Sequence, residues 1–138
     1  MDDQILLDQF ESATFPLADW HHRAHIKVAY LYVSAYGFDE ALIRMRNGIQ
    51  VYNAAVGVQD GPTRGYHETM TQFWLRLVDF TIRQHGAADC ADTFADQNPQ
   101  LLEQKIVRLF YSRERFMSAE AKIRYLEPDL TAVPVPIK

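Results

Sequence analysis

Trp20-His21-His22-Arg23-Ala24-His25-Ile26-Lys27-Val28-Ala29-Tyr30-Leu31-Tyr32 carries three of the chain's five histidines and opens its most hydrophobic helical stretch. On a helical wheel, Arg23, Lys27 and Ser34 gather on one side. His25, Tyr32 and Tyr36 lie opposite, flanked by His21, Val28 and Ala29. The pattern predicts an amphipathic helix from Asp19, as N-cap, to Tyr36, stopped by Gly37. On that helix His25 points into the protein, at the centre of the buried face.

Outward from this stretch, helical spacing recurs. Ile5, Leu6, Leu7 and Phe10 give a short helix from Asp3 to Phe10, and Ser12 to Leu17, with Pro16, breaks it. Phe38, Ala41, Leu42, Met45, Ile49, Tyr52 and Val56 form one stripe that ends at Gly57. Gly48 lies beside this stripe, where a close helix crossing is the expected reason for it. Asp60-Gly61-Pro62 and Gly65 mark a loop over residues 59–65. A further helix is expected from His67 to His85, with Met70, Trp74, Leu77, Val78 and Thr81 inward. His67 and Thr71 fall at the edge of its apolar face, and Gly86 ends it.

Residues 87–97 hold one helical turn or two. Asn98-Pro99 reads as the cap and first position of a helix to Tyr111. Ser118 caps a last short helix, which Pro128 stops. Residues 131–138, with Pro134 and Pro136, are expected to be an extended tail. No stretch alternates with period two. The expected fold is all-α: a compact helical bundle in a single domain over residues 1–138, with four long helices and two or three short ones.

The chain's 138 residues suit one domain, and 48% hydrophobic content supplies a core. The net charge of -4 and the scattered basic residues argue against nucleic acid as a partner. Cys90 is the single cysteine, which excludes an intramolecular disulfide and an all-thiolate metal site. Asp2-Asp3 has the wrong charge for a signal peptide and no apolar run reaches membrane length, so the expected location is cytoplasmic. The oligomeric state is left open.

The histidines direct the search for a site. His21 and His25 are spaced i,i+4, and His22 and His25 i,i+3; either pair converges on one helix face and can share a metal ion. His67 is the best third ligand, with Glu68 as the fourth or as a general base. Such a set suits zinc or iron with a position left for water or substrate. The glutamate of the HExxH zinc-protease motif is missing. Without a metal, His25 or His67 would move a proton, Glu68 would orient or accept it, and Tyr32 or Tyr66 would bind an oxyanion. The competing reading makes these core histidines hydrogen-bonded to backbone carbonyls or tyrosines.

Tyr66-His67-Glu68-Thr69 stands where the loop becomes a helix, so its free N–H groups, with Arg64 upstream, can take an anion. Ordinary capping explains the same residues. Arg113 falls on the apolar side of its helix, where it would pair with Glu68, Glu120 or a substrate acid; capping by a cation is the alternative.

The combination His22-Arg23-Ala24-His25-Ile26, Gly65-Tyr66-His67-Glu68-Thr69-Met70-Thr71, Tyr111-Ser112-Arg113-Glu114-Arg115-Phe116-Met117-Ser118 and Glu127-Pro128-Asp129-Leu130 resembles a family of short bacterial proteins of unassigned function. The resemblance runs from Phe10 to Leu130. It implies a bacterial cytosolic protein and transfers no chemistry. Three readings follow. The first is an enzyme acting on a small polar substrate, centred on His25, His67 and Glu68, with Tyr32, Arg64, Tyr66 and Thr71 around them. The second is a non-catalytic small-molecule-binding module, and the third a structural or regulatory partner protein with core histidines.

Overall fold

The computed structural model describes residues 2–134. Seven α-helices follow in order: α1 (Asp3–Glu11), α2 (His22–Tyr36), α3 (Phe38–Val56), α4 (Glu68–His85), α5 (Ala91–Gln97), α6 (Arg113–Phe116) and α7 (Ala119–Ile123). Short 3-10 segments lie at Leu17–Asp19, Pro99–Leu102 and Gln104–Leu109. Among the described residues no strand forms; Gly61 and Arg64 make an isolated antiparallel bridge. The fold is all-helical, as the spacing predicts. No helix of the described residues is long and apolar enough to cross a membrane.

The three long helices α2, α3 and α4 pack against one another, and α5 lies on α2. Their shared interior is aromatic: Phe10, Tyr32, Tyr52, Phe73 and Phe94 are among its fully buried side chains. Each buried tyrosine needs a partner for its hydroxyl. Tyr52 donates to the Phe15 carbonyl at 2.6 Å, fixing the turn after α1. Tyr111 donates to the Leu126 carbonyl at 2.6 Å. Thr69 of α4 donates to the Arg124 carbonyl and accepts from the Leu126 amide, so the C-terminal segment is strapped across α4.

Gly48 sits at a close crossing. A Cβ there would lie 2.5 Å from Cε2 and 2.6 Å from Cζ of Phe10. The Phe10 ring is hemmed in by Trp20, Tyr32 and Tyr52, so it has nowhere to swing. Gly48→Ala gains about 1 kcal/mol of helix propensity and suffers overpacking of about 1–3 kcal/mol. The expected net is a loss of about 1 kcal/mol, read as a lower urea midpoint. A raised midpoint would show that the ring yields.

Four expectations need correction. The helix expected over residues 98–111 is two 3-10 segments that meet at Glu103. An α-helix would give the Leu101 carbonyl to the Lys105 amide. Here His22 occupies that carbonyl, and the Lys105 amide turns to the Glu103 carboxylate. Asp19 lies inside a 3-10 turn, and His21 holds the cap position of α2. Lys27 is buried: α5 covers the polar side of α2, with Lys27 Nζ 2.8 Å from Asp92 and Arg23 3.0–3.1 Å from Asp96 and Asp92. Tyr36 and Met70, expected on inward faces, are half-exposed. In the tail, residues 131–134 are irregular, Val133 packs against the core, and residues 135–138 lie outside the described residues.

Candidate functional site

A cavity of about 490 Å³ opens between α2, α3, α4 and the loop before α4. That is the size of a small-molecule site. Helix α2 contributes His22, His25, Ile26 and Ala29; α3 contributes Met45 and Ile49. From α4 come Met70, Thr71, Trp74 and Leu75. Trp20, His21, residues 62–67, Gln104, Met117, Ser118 and Lys122 complete the wall. The sequence-predicted His21, His22, His25, Arg64, Tyr66, His67 and Thr71 thus meet around one space. Tyr32, Glu68 and Arg113 do not reach it.

His25 is the distinctive member. Its Nδ1 lies 2.8 Å from the His21 carbonyl. A carbonyl only accepts, so Nδ1 carries the proton and Nε2 is a bare lone pair. No described residue bonds to that Nε2. The Trp20 ring lies against the imidazole, centroids 4.0 Å apart. Trp20 is itself set among Phe10, Phe15 and Tyr52, which fixes His25 from behind. Burial pushes the imidazole down to about 4, only partly opposed by its bond to His21, and the neighbouring His22 and His21 push the same way. At neutral pH His25 is an uncharged acceptor.

Of the other two inward histidines, His22 has one ring nitrogen committed to the backbone and His67 has both. His22 Nε2 donates to the Leu101 carbonyl at 2.8 Å, and its ring meets Trp74 edge-on at 4.4 Å. His67 caps α4: Nδ1 accepts the Met70 amide at 3.0 Å, while Nε2 donates to the Phe116 carbonyl at 3.0 Å. Burial lowers the pKa of both. With both ring nitrogens of His67 committed, it has no lone pair left for a metal or a proton.

The shared metal centre of His21, His22, His25 and His67 is therefore not assembled. Among the described residues no group of three or more His, Cys, Asp or Glu is placed to hold an ion. The backbone takes both ring nitrogens of His67 and one each of His22 and His25. Glu68, expected as a base or ligand, is buried in a clamp between α3 and α4. Arg46 donates to it from Nε at 2.9 Å and Nη2 at 2.7 Å, and Tyr66 and Gln72 each donate at 2.7 Å. The Tyr66 hydroxyl is thereby spent on Glu68 and serves no oxyanion. Tyr32 donates to Glu11 at 2.7 Å, outside the cavity. Arg113 is exposed in the first turn of α6.

Sequence reasoning missed Gln104 and Lys122 in this wall. Lys122 Nζ stands 2.6 Å from the Tyr66 carbonyl and 3.4 Å from Asp60. Only tertiary folding brings α7 to the loop, so no local spacing announced it. Gly65 makes that loop possible: its φ is +89°, and a Cβ would come 2.9 Å from the Asp60 backbone. Asp60 in turn accepts the Tyr66 amide at 3.1 Å. No family model, curated protein or solved structure matches the chain.

Proposed function

We propose that this protein is a small-molecule-binding module, with its ligand held in the cavity between α2, α3 and α4. The observation that carries the reading is His25, whose unpartnered Nε2 belongs to a neutral, rigidly backed imidazole on a largely apolar wall. An apolar cavity with a few fixed polar groups is the usual form of a ligand site. The bare Nε2 offers a fixed acceptor to a donor on such a ligand. Binding is favoured over acid–base catalysis because an imidazole with a pKa of about 4 is a weak base near neutral pH. Neither His67 nor Glu68 has a free group to share the proton. A bacterial cytosolic setting, implied by the resemblance, belongs to the same proposal.

The chain has two tryptophans, Trp20 and Trp74, and both line the cavity. All tryptophan emission therefore reports on this space. Titration with a panel of small apolar and aromatic compounds should yield ligands that shift this emission and raise Tm together. A ligand at 100-fold its Kd should add about 2.7 kcal/mol of stability and be recovered unchanged. A panel that moves neither signal would overturn the proposal. A stabilising compound that emerges chemically altered would replace it with the enzymatic reading.

A further inference from the structure

The charge around the cavity runs against that of the chain. The protein carries 18 acidic and 14 basic residues, net -4. Yet no aspartate or glutamate is among the described lining residues, whereas Arg64 and Lys122 both are. Arg64 makes no ion pair with a described residue. Lys122 is mostly buried and shares its charge with Asp60, whose side chain is 75% exposed and 3.4 Å away. A pair with so exposed a partner is weakly held. The cavity therefore has a cationic side with charge to spare.

We propose, resting on the small-molecule reading above, that the ligand is an aromatic monocarboxylic acid that also carries a hydroxyl or N–H donor. The carboxylate faces Arg64 and Lys122. The ring lies among Trp20, Trp74 and the aliphatic wall of Ile26, Ile49 and Leu75. The donor meets the bare Nε2 of His25. Each part answers one feature. Two indoles among the lining residues favour an aromatic ring. An acceptor that cannot itself donate selects for a donor and against an isosteric C–H. Two cations, one already shared with Asp60, match a monoanion better than a phosphate dianion.

Three probes separate these parts by calorimetric titration near pH 7: 4-hydroxyphenylacetate, phenylacetate, which lacks the donor, and 4-ethylphenol, which lacks the anion. The first should bind at least about tenfold more tightly than either other probe. Arg64→Ala, at an exposed position, should weaken the acid far more than 4-ethylphenol. His25→Phe, with folding checked by circular dichroism, should erase the advantage of 4-hydroxyphenylacetate over phenylacetate. Equal affinity of 4-hydroxyphenylacetate with either incomplete probe overturns the proposed class. So does failure of all three while neutral apolar compounds still shift tryptophan emission; in that case the binding reading stands. If no compound of any kind binds, both fall.

Discussion

Glu68→Ala should cost about 3 kcal/mol of folding stability, a large share of the total for a domain of this size. The reason lies in what the carboxylate holds. It receives both arms of the Arg46 fork, the Tyr66 hydroxyl and the Gln72 amide, and its side chain is 7% exposed. Burial alone would raise its pKa. The Arg46, Gln72 and Tyr66 hydrogen bonds outweigh that and hold it down to about 2. Alanine would strand a buried tyrosine hydroxyl and leave Arg46 without its partner. The Arg46 side chain is 37% exposed and can turn to water, which keeps the loss at the lower end of the range for a broken buried pair. Glu68→Gln keeps a hydrogen-bond acceptor for Tyr66 and should cost about half as much. Urea denaturation of both variants, with Arg46→Met and the double variant, gives the coupling energy. A Glu68→Ala protein within about 0.5 kcal/mol of the parent would show that this clamp does not hold α3 to α4.

The clamp also explains which parts of the molecule were legible in the sequence. Helices α2, α3 and α4 were, because each buries one stripe against the others and ends at a glycine whose position the spacing gives. His25 was legible for the same reason: a wheel reports the side of a helix. What a wheel cannot report is which ring nitrogen the backbone claims, and that decided the fate of His67. Glu68 follows His67 directly, the one capping α4 and the other opening it. Adjacent residues at a helix start diverge, so His67 turned to the C-terminal segment and Glu68 to α3. Lys27 misled in the opposite way. Arg23 and Lys27 on one side of α2, and Asp92 and Asp96 on α5, each stand four apart, so the polar side of α2 is an interface rather than a solvated face. That complementarity was present in the sequence, but only for a reader who had already paired the two helices. The short stretches that looked distinctive prove largely to be ties between segments. Asp129 accepts the Ser112 amide, Arg115 donates to the Glu127 carbonyl, and His22 reaches Leu101.

Acidification should destabilise the protein in two stages, the first of them governed by the cavity histidines. The pKa of His25 in the fold is about 4, against an ordinary 6.5. Above pH 6.5 neither state binds the proton, and the contribution of the neutral imidazole is fully present. As pH falls from 6.5 to 4 the unfolded chain takes the proton first and stability is lost, at up to about 1.4 kcal/mol per pH unit. His25 alone accounts for about 2–3 kcal/mol across that window. His22 and His67 are lowered too and add in the same direction. Glu68 acts below them. Its pKa is depressed from 4.5 to about 2, so the stability it lends is present above pH 4.5 and is lost as pH falls toward 2. Urea midpoints should therefore drop between pH 7 and 5, before any carboxylate titrates appreciably, and His25→Gln should shrink that slope. Midpoints that stay level from pH 7 to 5 would mean that the imidazoles take protons in the folded state as readily as in the unfolded chain. Ligand binding offers an independent reading of the same proton. A donor on Nε2 needs the lone pair that protonation removes, so a bound ligand should push the acid transition to lower pH by mass action.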